Sequence, residues 1–164
     1  MGKRVRLKDG DIFSFALDDG RLGLGQVIEA KPSLFITMLR DPAPDSVDLG
    51  SVKTDEILLC GRTMDALFFH DRWHVIGNLP VPKVPRPCTK VQSSGQRWIS
   101  DFHGRTLIRR ATDAEWAKLD FHTSVAPITY QRALNAWHGS GDMEPYFAPL
   151  FIEHWEAQAA LCTA

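Results

Sequence analysis

The sequence contains only three cysteines, Cys60, Cys88 and Cys162, in 164 residues. An odd and unclustered set fits reduced thiols better than a disulfide framework, so all three are expected to be structural. No apolar run approaches the roughly 20 residues needed to cross a bilayer. Glycine, with 12 residues, and proline, with 10, are too scarce for a collagen-like or low-complexity chain. An excess of one charge sign is missing too: 19 basic and 20 acidic side chains leave a net charge of −1, and no overall field draws the protein toward nucleic acid or membrane. The cationic start Met1–Lys8 is not followed by an apolar stretch. Arg6 stands where a myristoylation signal needs Ser or Thr, and Cys162 comes one residue too late for a prenylation box. These absences predict a cytoplasmic protein with no membrane attachment.

What is present is ordinary globular composition, 44% hydrophobic and 24% charged. A chain of this length can bury about 70% of its unfolded surface, so one domain spanning 1–164 is expected. The charge is unevenly distributed: net −2 over residues 1–60, +6 over 61–110 and −5 over 111–164.

Residues 9–110 read as mainly antiparallel β and 111–164 as mainly helical. In Ile12–Leu17, Phe13, Phe15 and Leu17 share one face. Asp18-Asp19-Gly20 turns the chain, because Gly accepts a positive φ and Asp tolerates it. The strand Arg21–Glu29 carries Gly23 and Gly25 on one face, which predicts a sharp bend or the close approach of another element. After Lys31-Pro32-Ser33 a third strand follows at Leu34–Leu39. Asp41–Asp48 reads as an exposed acidic loop. Further strands are expected at 57–60, 66–69 and 73–76, then an extended crossing punctuated by Pro80, Pro82, Pro85 and Pro87. A last hairpin, 97–102 with 106–109, turns at His103-Gly104. Thr112-Asp113-Ala114-Glu115 is a capping box that starts a short helix. A second helix runs from Pro127 to Gly139 with Tyr130, Leu134 and Trp137 on one stripe, and a third starts near Pro149. Strands first and helices last give an α+β class, its N-terminal sheet curled as an SH3-like barrel or a meander.

Chemical motifs do not survive their structural requirements. Gly20, Gly23 and Gly25 have the reverse of the dinucleotide spacing and lie in a hairpin rather than between a strand and a helix, as phosphate binding demands. His70 and His74 are four apart as in a helical zinc site, but the segment reads as turn and strand, with partly solvated histidines and no third ligand. Ser140 sits among glycines that end a helix and reads as a connector. Cys60 and Cys88 have no histidine aligned with them. No catalytic residue, metal or cofactor is therefore expected. Segment 62–110 interleaves nine cations with Trp73, Trp98 and Phe102, a pattern that could serve a nucleic-acid-binding SH3-like module. Alternatively the tryptophans face inward, or the sheet docks the acidic helical segment.

Gly10–Phe15, Leu17–Gly20 and Gly25–Ile28, followed by Arg72–Pro80 with its tryptophan-containing strand and proline exit, resemble the Immunity protein 26 family of bacterial polymorphic toxin systems. The likeness covers about the first half of the chain. It implies a non-enzymatic protein that binds a cognate toxin and silences it stoichiometrically in the cytoplasm of the producing cell. If the toxin is basic, acidic groups would face it. The candidate contact residues are Asp41, Asp45 and Asp48 on the proline loop, and Glu144, Glu153 and Glu156 near the last helix. The oligomeric state stays open.

Overall fold

The computed structural model describes residues 2–162. Met1, Thr163 and Ala164, the ends of the expected single-domain span, lie outside the described residues. The chain forms two compact units, one made of residues up to Lys83 with Ser124–Ile152, the other of Val84–Thr123 with residues from Glu153 onward.

In the first unit, strands β1 (Asp11–Ala16), β2 (Leu22–Glu29), β3 (Leu34–Leu39), β4 (Ile57–Thr63) and β5 (His74–Asn78) form one antiparallel sheet in the order β4-β3-β2-β1-β5. It is an open meander: β4 and β5 end at opposite edges, so the sheet does not close into a barrel. The Asp18-Asp19-Gly20 turn forms as the dipeptide preference predicts, with Gly20 at φ 89° and Leu17 N–H donating to Arg21 O at 2.8 Å.

The two strand glycines are explained by what lies opposite them. Register places Phe13 across from Gly25 and Phe15 across from Gly23, and each ring lies where a Cβ of the glycine would be. Trp73 stacks on Phe13 at 4.9 Å and 17°, and Phe68 meets both edge-on at 5.0 and 5.4 Å. Removing each such ring from water contributes about 2–3 kcal/mol, and offset and edge-to-face geometry adds to that. Helix α3 (Pro127–Trp137) seats Tyr130, Ala133 and Leu134 in this core. The Tyr130 hydroxyl donates to Arg62 O at 2.7 Å beside Gly61, where a Cβ would collide with it. Burial drives the Tyr130 phenol pKa far above its usual value. Trp73 Nε1 donates to Gln131 Oε1 at 3.0 Å, which satisfies the indole. The β4 edge is covered by backbone contacts from Val125 to Arg62 and from Phe151 to Leu59.

The second unit holds strands β6 (Thr89–Ser93), β7 (Gln96–Ser100) and β8 (Leu107–Arg110) in that order, helix α2 (Asp113–Lys118) and helix α4 (Ile152–Cys162), of which residues from Glu153 onward belong to this unit. Its small core joins Ile99, Leu119 and Cys88. The hairpin at His103-Gly104 is ordered by Asp101, whose Oδ1 accepts from Arg105 N at 2.8 Å and Thr106 N at 3.0 Å, contacts that hold its carboxyl below the usual range. The capping box is complete: Thr112 Oγ1 accepts from Glu115 N and Glu115 accepts from Thr112 N.

Four expectations are corrected. Cys88 and Cys162 form a disulfide across 74 residues; their spacing carries no signal, and only the fold brings β6 to the end of α4. Cys60 is buried and outside that bond. Ala66–Phe69 is a helical turn (α1) rather than a strand, closed by Phe69 N–H to Asp65 O at 2.9 Å. Pro149 lies inside the 3-10 segment Pro145–Leu150, and the last α-helix begins only at Ile152. Trp137 leaves the buried stripe of α3 and is 47% exposed.

Candidate functional site

The acidic loop is exposed and organised. Ala43 bridges to Leu22, with N···O distances of 2.8 and 2.9 Å, and this tethers the loop to β2. Asp48 caps the turn Leu49–Ser51 by accepting from Gly50 N at 3.1 Å. Between the tether and the cap is a cavity of about 270 Å³, lined in part by Asp41, Asp48 and Glu56 over Leu24 and Leu39. Asp45 is exposed but outside this lining. Glu56, which belongs to the segment after the proline loop, was not marked by composition, and Lys53 offsets part of its charge at 3.6 Å. The cavity therefore joins two of the three predicted loop acids to one that sequence reasoning missed.

The other predicted trio is divided. Glu144 precedes the 3-10 segment in the first unit, whereas Glu153 and Glu156 lie on α4 in the second. Glu153 and Glu156 are three apart, hence on neighbouring positions of one helical face, and both are exposed.

The basic centre is mostly engaged. Trp73 is a core residue. In the second unit Arg109 holds Glu115 through two bonds of 2.8 and 2.6 Å, and Arg97 is 3.6 Å from Asp113. Arg97 also lies 5.1 Å over the Trp116 ring, Arg110 4.8 Å over Trp98, and Lys90 4.7 Å over Phe121. The sheet's cations thus meet acids and rings of their own unit. The Arg109 guanidinium, aided by the Thr112 amide, lowers the Glu115 carboxyl to about 2.

The motif residues fall as their local context predicts. His70 ends α1, Asp71 adopts φ 57°, and exposed His74 lies 3.2 Å from Asp71 Oδ1, so the segment is turn and strand rather than a helical ligand pair. Ser140 N–H donates to Asn135 O at 2.8 Å just beyond α3, next to Gly139 at φ 93°, which makes it a helix terminator. Among the described residues no group of three or more His, Cys, Asp or Glu is placed to hold a metal. No helix of the described residues is long and apolar enough to cross a membrane.

The first unit is an open five-stranded antiparallel sheet with helix α3 packed on its core. Immunity protein 26 matches residues 8–94, more than half of the sequence, and the chain belongs to that family. The match begins before β1 and ends just after β6. No curated protein and no solved structure matched the chain.

Proposed function

We propose that this protein is a stoichiometric inhibitor of a cognate bacterial toxin of a polymorphic toxin system, acting in the cytoplasm of the producing cell by protein–protein contact and without catalysis. The observation that carries this reading is the family match over 8–94, which spans the whole five-stranded sheet and the acidic loop. The loop cavity supports a contact role: Asp41 and Asp48 with Glu56 present carboxylates over an aliphatic floor, a setting suited to a basic side chain of the partner. A standard interface needs about 800 Å² per partner, less than a tenth of the protein's 9106 Å² surface. Asp45, Glu144, Glu153 and Glu156 remain proposed contacts of the same sign.

The test is association kinetics with the toxin encoded by the neighbouring reading frame. Asp41→Asn, Asp48→Asn and Glu56→Gln together are expected to slow association by about tenfold and to flatten its salt dependence, with little change in dissociation. Unchanged rates would remove this loop from the interface. The nucleic-acid reading is disfavoured by the occupation of Arg97, Arg109, Arg110 and Lys90 within their own unit. A gel shift at low salt is expected to show no binding.

A further inference from the structure

A second surface of the first unit has the opposite character. The irregular segment 4–9 forms one side of a groove of about 950 Å³; residues between Ala30 and Leu34 and between Thr63 and Asp65 form the rest. Its floor is aliphatic. Leu7 and Leu34 join the core beneath, while Val5 and Met64 remain 38% and 49% exposed. Its rim is cationic, with Arg4, Arg6, Lys8 and Lys31 against Asp9 and Asp65. Asp9 already accepts from Ala30 N at 2.8 Å. None of the four cations has a carboxylate partner among the described residues. This contrasts with the basic sheet of the second unit, where Arg97 and Arg109 are paired.

Four cations outside any ion pair among the described residues, outnumbering the two rim carboxylates around an open aliphatic floor, define what fits. A nucleic acid strand would need rings on which to stack its bases, and the lining has none. A peptide that alternates carboxylates with aliphatic side chains meets both features: its carboxylates match the guanidinium forks of Arg4 and Arg6, and its aliphatic groups cover Val5 and Met64. We propose that this groove docks an acidic, aliphatic-studded segment of a partner protein. Resting on the immunity reading, that partner is the toxin, held by a basic groove as well as by the acidic loop. Two surfaces of opposite sign discriminate more strongly than one, because a wrong partner must satisfy both.

The experiment is fluorescence anisotropy with three labelled probes: a short peptide alternating Glu with Leu and Val, a Glu/Ser peptide of equal charge, and a short single-stranded oligonucleotide. The aliphatic peptide is expected to bind best, and less tightly as salt rises. The variant Arg4→Ser/Arg6→Ser/Lys8→Ser is expected to lose about tenfold, the sum of three partly exposed charge contacts. Met64→Glu, which changes only an exposed side chain of the floor, is expected to weaken the same peptide. Absence of peptide binding, equal binding by both variants, or tighter groove-dependent binding of the oligonucleotide would each overturn the proposal. Toxin capture separates the two readings. Failure of the wild type to bind the toxin refutes the immunity reading, while wild-type binding retained in full by both variants refutes the groove alone.

Discussion

Gly23 and Gly25 have no side chains because Phe15 and Phe13 occupy the space where a Cβ would sit. Gly25→Ala must displace the Phe13 ring, which is itself fixed by Trp73 and Phe68, so the strain has no soft outlet. The expected cost is about 1–3 kcal/mol, read as a lower urea midpoint with an unchanged slope; an unchanged midpoint would show that the ring can move. Two alternating glycines on one face of the strand predict a sharp bend or a close approach, and the structure shows the approach. The identity of the approaching group was not visible in the sequence, since it depends on register. Trp137 marks the other limit: helical period placed it on the Tyr130 and Leu134 stripe, but it lies at the end of α3, where the helix has run past the core.

Elements whose signals are local were legible, and those shaped by tertiary context were not. The capping box at Thr112 was readable from four residues. That Arg109 would complete it was not, because the arginine comes from the neighbouring strand. The pairing has a pH signature. Because the folded carboxyl of Glu115 lies at about 2, below its ordinary value of 4.5, its contribution to stability is complete above about pH 4.5 and is lost as the pH falls toward 2. The Glu115 carbon resonance should titrate with that depressed midpoint, and Arg109→Gln should move it up toward the ordinary value. A midpoint unaffected by the arginine would contradict the assignment. Ala66–Phe69 reads as a strand because four apolar residues fit a buried strand and a helical turn equally well. β6 leaves no periodic signal because its sequence, Thr-Lys-Val-Gln-Ser, carries a single apolar side chain and it lies at a sheet edge.

At the scale of the molecule, the even balance of charge separates into local arrangements: a basic sheet whose cations meet acids and rings of the second unit, and an acidic loop and a basic groove on the first. The acidic loop could be read from composition. Its cavity, which needs Leu24 of β2 beneath the stretch 39–56, and the groove, lined by three segments distant in sequence, could not. The Cys88–Cys162 bond is likewise a product of the fold, and it lies within the second unit alone. Closing a loop of 74 residues is worth about 4 kcal/mol in chain entropy. Reductant, or Cys162→Ser, is therefore expected to lower hydrogen-exchange protection in β6 and β7 while leaving β1–β4 unaffected. Equal loss in both sheets would mean that the units unfold as one. A reducing compartment favours the two thiols over the bond, so the second unit is the part whose stability is expected to depend on location.

The chain passes from the first unit to the second after Lys83, returns at Ser124 and leaves again after Ile152. A ribosome delivering this chain would thus have the whole sheet of the first unit outside its tunnel while Tyr130, Leu134 and Phe147, which fill the core of that sheet, were still to be made. The first unit is completed only after the strands of the second have been made, and a chain cut short before those residues holds the sheet without the side chains that fill its core.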